Sequence, residues 1–201
     1  MIRSALFIKL LMFSLLSLTF KTMAYEEATY SIVYQNDVYE IRNYSDRLAI
    51  QVNYTNQDGG FRRLFNYISG SNIDSTKINM TTPVTQSTKI SMTTPVTQSN
   101  ENGVKVMQFY LPSNFTKKNA PAPTDKELEL IIIEQGYYAV IKYSGRLTDK
   151  NFDKRRKILK DNLLKDNIEI LSSAIRATYN GPFTLPFLRR NEAMFRVVWK
   201  N

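Results

Sequence analysis

The sequence predicts a single α+β domain made of two related halves. Three observations carry this. The order strand, strand, helix occurs twice, and within each block the apolar period changes from 2, the period of a half-buried strand, to 3.6, the period of a helix packed through one stripe. A stiff segment at residues 119–124, with Pro121 and Pro123, lies between the blocks and marks the internal boundary.

In the first block, residues 32–35 and 38–42 are two β-rich runs around the turn dipeptide Asn36-Asp37, and residues 48–54 alternate as a third strand. From residue 58 to 68 the pattern becomes helical. Phe61, Leu64, Phe65 and Ile68 fall at i, i+3, i+4 and i+7, Asp58 stands near the start and Gly70 just past the end. Arg62 with Asn66 and Arg63 with Tyr67 form i, i+4 pairs on the flanks, which place cations beside an aromatic at the rim of whatever the helix covers, or on a solvated flank.

The phrase Lys77-Ile78-Asn79-Met80-Thr81-Thr82-Pro83-Val84-Thr85-Gln86 follows, and nearly the same phrase returns at residues 89–98. A repeat this short is no solenoid unit. Each copy has β-branched threonines before a proline, which holds the chain extended, so each reads as an edge strand or a strand entering a turn. Either this is a duplication tolerated in a loop, or Met80 and Met92 both line a site. Residues 104–111 then alternate as a strong strand, stopped by Pro112.

The second block has strands at 128–133 and 137–143 around Gln135-Gly136, then a helix over about residues 152–164, capped by Asp149 or Asn151, with Phe152, Leu159 and Leu163 on one side. Ala49-Ile50 and Ala139-Val140 read as equivalent positions of the two halves, and Phe61 and Phe152 each open a helix, so a pseudo-twofold relates units of about 90 residues. The run Lys154-Arg155-Arg156-Lys157 reads as a solvated helix face, the alternative being an electrostatic site for an acidic ligand or surface. Strands at 174–179 and 194–199 bracket a loop with two prolines and two phenylalanines, which either folds over the core as a lid or turns its aromatics to a ligand.

Composition narrows the chemistry. With 43% hydrophobic residues, twelve tyrosines and eleven phenylalanines in 201 residues, the chain is able to bury a large core. Residues 1–24, with Arg3, an apolar run at 10–20 and Thr22-Met23-Ala24, read as a secretory signal peptide cleaved after Ala24, so the mature chain is expected in the periplasm or secreted, with no stable membrane anchor. The 24 cations and 18 acids that remain leave a net charge of +6, and no nucleic-acid motif accompanies it. There is no cysteine and no histidine, which removes disulfides, the commonest metal ligand and the commonest general base together.

Three separated phrases, KI-x-MTTPVTQ, GFRRL-x-x-YI-x-G and YNGPFTLPFLRRNEA, resemble the SOUL or haem-binding protein family over most of the mature chain, in the manner of its exported bacterial members. The resemblance implies a distorted antiparallel β-barrel of two pseudo-symmetric halves, each with a helix packed on the sheet, in one domain at 25–201 with halves at about 25–118 and 125–201. It implies non-covalent binding of haem or another porphyrin in a shallow apolar groove between the first helix and the proline-rich tail loop, for capture, buffering or delivery. Carried over by position, Arg62 or Arg63 pairs with propionates, Tyr67 flanks the macrocycle, and Phe183 and Phe187 cover it. A histidine axial ligand, proposed for some members, is impossible here, so iron would be held by Met, by Tyr or by nothing from the protein; Met80 and Met92 are the candidates the sequence offers, and there is no dedicated metal site. The alternatives are a protein-interaction domain on the same scaffold and a tetrapyrrole-modifying enzyme. No catalytic residue is identified, and no enzyme activity is expected.

Overall fold

The computed structural model describes residues 25–89 and 104–200. The expected signal peptide, Met92 and nearly all of the second copy of the doubled phrase lie outside the described residues. In chain order the elements are β1 (Glu26–Glu27), β2 (Tyr30–Gln35), β3 (Glu40–Tyr44), β4 (Arg47–Tyr54), α1 (Gln57–Ile68), β5 (Thr81–Thr82), β6 (Val84–Lys89), β7 (Val104–Tyr110), β8 (Leu128–Ile133), β9 (Gly136–Tyr143), α2 (Asp149–Lys165), β10 (Ile175–Thr178) and β11 (Asn191–Val197). Nine strands form one curled antiparallel half-barrel in the order β2-β3-β9-β11-β10-β6-β7-β4-β8, and β1 and β5 pair separately in parallel.

From β3 to β8 that order is a palindrome. β3 corresponds to β8, β9 to β4, β11 to β7 and β10 to β6, with the antiparallel pair β10–β6 at the centre. The two halves predicted from the repeated strand, strand, helix order are therefore present, with an exchange the sequence does not reveal. The first strand of each half crosses over, β3 pairing with β9 and β8 with β4, so the halves share one sheet. The opening hairpin forms as expected, with Asn36 accepting from the backbone N–H of Val38 and Tyr39.

Both helices lie on one face of the sheet, α1 over β4 and β7, α2 over β9 and β11. Strand alternation sends Leu48, Ile50 and Val52 against Leu64, Tyr67 and Ile68 of α1. It sends Ala139, Ile141 and Tyr143 against Leu159 and Leu163 of α2. The true equivalence is thus Ile50 with Ala139. The pairing of Ala49-Ile50 with Ala139-Val140 is out by one residue, and in a strand one residue is the difference between faces.

Three local expectations also change. The first copy of the doubled phrase supplies β6, which is a central strand and no edge, because Pro83 sits just before it and leaves the ladder donors of Val84–Lys89 intact. α2 begins three residues earlier than predicted, since Thr148, and neither Asp149 nor Asn151, is the cap, its Oγ1 accepting from Asn151 N–H at 3.2 Å. The proline segment between the blocks is no free linker. It straps the end of α1, with Tyr67 donating to the Pro121 carbonyl at 2.8 Å and Ile73 N–H to that of Ala122 at 3.0 Å.

Leu64 is fully buried at the centre of the α1 contact. Leu64→Ala is expected to cost about 2–5 kcal/mol through lost transfer energy and the cavity left behind, read as a lower urea midpoint with an unchanged slope.

Candidate functional site

α1 starts at Asn56, whose Oδ1 accepts from Asp58 N–H at 2.9 Å. Its buried side is Gly60, Leu64, Tyr67 and Ile68, where the sequence pattern predicted Phe61, Leu64, Phe65 and Ile68. The helix is turned by about 60° from the predicted stripe, on a 3.6-residue period. Gly60 is one reason. A Cβ there would lie 2.9 Å from Cβ of Tyr54, so only glycine lets the helix settle this close to β4. Tyr67 is the other: its ring is completely buried and its hydroxyl satisfied by Pro121, so a residue with a polar tip takes the place of an apolar one.

The turn leaves two phenylalanines on the flank. Phe61 is 40% and Phe65 46% exposed, their rings nearly parallel at 6.1 Å, with Phe61 edge-on to Phe109 at 5.3 Å. Phe109 on β7 is in register with Val84 on β6, and Val84 with Thr178 on β10. Two strand spacings, roughly 10 Å, therefore separate Phe109 from the point where the tail loop leaves β10. The tail loop thus starts two strands from the ring on which Phe61 packs.

The tail loop does not fold back over the core. Phe183 is 98%, Phe187 70%, Leu188 63% and Leu185 55% exposed. Its backbone is nonetheless tied down. Arg189 donates to the carbonyls of Thr184 at 2.8 Å and Pro182 at 2.6 Å, and Pro186–Leu188 form a turn of 3-10 helix. Gly145, at φ +111°, donates to the Pro186 carbonyl at 2.8 Å and so fixes the loop to the turn before α2.

Of the residues singled out from the sequence, Arg62 is exposed and has no ion pair among the described residues, while Arg63 binds Asp125 at 2.9 and 3.0 Å. Tyr67 is a core side chain and presents no ring face to the surface beside it. Met80 is half-buried and packs on the same core cluster. Phe183 and Phe187 stand exposed in the tail loop.

On the other face of the sheet lies a cluster the sequence did not announce. Arg42 and Glu192 are fully buried and joined by two bonds, Nη1 to Oε2 at 2.8 Å and Nη2 to Oε1 at 2.9 Å. Glu192 also accepts from Tyr179 Oη at 2.7 Å and from Arg190 Nε at 2.9 Å, and Arg190 in turn holds Glu27 at 2.8 and 3.0 Å. Burial alone would raise the Glu192 pKa; hydrogen bonds from Arg42 and Tyr179 and the charges of Arg42 and Arg190 outweigh it and hold the carboxyl below its usual range. Burial, with Glu192 beside it, pushes the Tyr179 hydroxyl well up. The only advance signal was alternation, which sets Arg42 and Tyr44 on one side of β3 and Ile41 on the other.

Further along this face Arg47 stacks over Tyr44 at 4.2 Å, Tyr110 at 5.0 Å and Tyr138 at 5.2 Å, its Nε and Nη2 without hydrogen-bond partners. It lines a cavity of about 240 Å³ with Ser45, Thr81, Tyr110 and Phe115, smaller than the usual pocket for a drug-sized molecule at roughly 300–1,000 Å³. Among the described residues no three His, Cys, Asp or Glu side chains are grouped to hold a metal ion.

The family model described as SOUL heme-binding protein matches residues 25–196. No curated protein matches the sequence. Among solved structures, an uncharacterized conserved protein from Listeria innocua superposes with a TM-score of 0.58 at 7% identity, over 80% of this chain and 92% of that one. The C-terminal domain of EcmrR gives 0.56 at 9% identity, over 83% and 99%. A structure described as a hydrolase from Listeria innocua gives 0.55 at 8% identity, over 83% and 94%. At these identities the likeness is one of fold, and it bears out the α+β half-barrel with its two helices.

Glu192 ties the cluster to pH. Its folded pKa is depressed, so it contributes stability above the unfolded carboxyl pKa of about 4.3, and that contribution is lost as pH falls through the folded value. Glu192→Gln takes from the buried Arg42 one of its two carboxylate partners and leaves it Glu40, bonded to its Nε at 2.5 Å, so the cost at pH 7 is expected at about 3 kcal/mol, the low end for breaking a buried pair. The gap from the parent protein should narrow as pH drops below about 4, as seen in thermal unfolding at pH 7 and pH 3.5.

Proposed function

Because the chain belongs to the SOUL heme-binding protein family, we propose that it binds haem or a related tetrapyrrole on the surface between α1 and the tail loop. The role is capture, buffering or delivery of that ligand in the periplasm or outside the cell. One observation carries the reading: Phe61 and Phe65 on α1 and Phe183 and Phe187 on the tail loop are 40–98% exposed, and strand register puts the root of that loop two strands from Phe109, on which Phe61 packs. Large aromatics exposed together mark a binding surface more often than isolated ones do.

The residues fit the group. A porphyrin is a flat apolar disc with two carboxylates, and an open aromatic surface beside Arg62 suits it better than the small cavity at Arg47. Phe61 and Phe65 on α1 and Phe183 and Phe187 on the tail loop supply exposed aromatic surface for the macrocycle. Arg62 is the cation free to meet a propionate, and Arg63 would first have to leave Asp125. Bound haem would bring a redox-active iron, and in this reading it is the cargo. Met80, packed on the core under α1, serves the fold.

Titration with hemin, followed by Soret absorbance, is expected to give a saturable shift at roughly micromolar concentration. Phe61→Ser/Phe65→Ser should weaken it by about tenfold or more, with circular dichroism unchanged, since both rings are already half in solvent. The absence of a saturable shift, or equal affinity in the variant, overturns the reading. Met80→Leu is expected to leave the Soret position unmoved, and iron-free protoporphyrin to bind within about threefold of hemin, as holds when the protein supplies no axial ligand. A displaced band in the Met80 variant would instead make that sulfur a ligand.

A further inference from the structure

The tail loop presents more apolar side chain than a wall for a flat ligand requires. Phe183 is 98% exposed, so it touches almost nothing of its own chain, and Leu185 and Leu188 stand out with it. The loop is held in this form by Arg189 and by Gly145, which makes the exposure a fixed feature of the backbone. The bond to Gly145 also sets the loop beside the start of α2. There Arg146, Lys150 and Lys154 are exposed and have no ion pair among the described residues, in contrast to Arg156 and Lys157, which are matched by Asp153 and Asp161.

We propose that this end of the molecule docks reversibly on an anionic lipid surface, the loop entering the headgroup and upper acyl region and the three cations meeting the headgroup phosphates. Aromatic and aliphatic side chains standing out on a stiff loop, flanked by unpaired cations, match an interface that is apolar in depth and negative at its rim. A protein partner would need a concave seat for Phe183, whereas a bilayer accepts a projecting ring without one. The proposed contact is peripheral, made by side chains of the loop and the start of α2; no helix among the described residues is long and apolar enough to cross a membrane. The proposal does not rest on tetrapyrrole binding, although it would bring the surface between α1 and the loop close to a source of apolar ligands.

The test uses the chain from Tyr25 on, which holds every described element, and sedimentation with vesicles in the absence of any porphyrin. Binding is expected to vesicles of phosphatidylcholine with about one-third phosphatidylglycerol, to weaken as salt rises, and to be far lower on phosphatidylcholine alone. Phe183→Ser/Phe187→Ser should reduce the partition coefficient by about tenfold or more. Lys150→Glu/Lys154→Glu should do likewise while leaving the hemin titration unchanged. A Phe183→Trp variant should shift its emission to the blue on anionic vesicles. No binding, equal binding to both vesicle types, undiminished binding of the loop variant or an unmoved tryptophan emission each overturns the proposal. The hemin titration contains no lipid and the sedimentation no porphyrin, so failure of one leaves the other standing.

Discussion

Glu192 is where both stems of the tail loop meet. Tyr179 comes from the residue just after β10 and Arg190 from the residue just before β11, and both donate to the same carboxylate. Arg42 reaches it from β3 across β9, and Arg190 carries the connection on to Glu27 at the start of the described chain. A loop with most of its apolar atoms in water gains little from its own burial, so its shape has to be imposed from below. The imposed constraint is one buried anion with four donors, a group that would be costly to bury with any of them missing.

The pseudo-symmetry makes the two helices comparable and shows that they differ in one respect. In the second half Phe152 lies in the first turn of α2 and is covered by Arg176, whose guanidinium stands 4.5 Å from the ring centre and is held in turn by Asp149. In the first half Phe61 and Phe65 have no such cover. The same architecture therefore carries one covered aromatic and one open pair. Local asymmetry in a symmetric scaffold is the expected mark of a site grafted onto a fold.

Much of this was legible in the chain. The strands at 48–54 and 104–111 announced themselves by alternation, the one at 128–133 by an apolar run before the Gln135-Gly136 turn, and the halves by the order of their elements. The face of α1 was not, because a pattern of apolar letters treats Gly60 as neutral and Tyr67 as a flank residue; only the close approach to Tyr54 and the carbonyl of Pro121 reverse that. Arg42 and Glu192 were invisible for a related reason. A charge in a strand reads as solvent-facing until its partner, 150 positions away, is known. The exposure of Phe183 and Phe187 follows from bonds made by Arg189 and Gly145 and is not written in the loop's own apolar letters. Membership of the family was readable from three phrases, since those phrases survive as sequence whatever their geometry.

β6 sits at the centre of the sheet, where the two halves meet. Its contacts are modest: Val84 reaches the core under α1, and Thr85 donates to Gln108 at 3.2 Å. The letters that make them occur again twelve residues later, as Val96, Thr97 and Gln98. The two copies are the same over Val84–Ser87 and part only at Thr88-Lys89, where the second has Asn100-Glu101. Loop closure adds little to that difference, since its entropy changes by only about 0.6 kcal/mol for each doubling of length. The first four residues of the central strand are thus an address that the chain spells twice, where a slip would reach both halves at once.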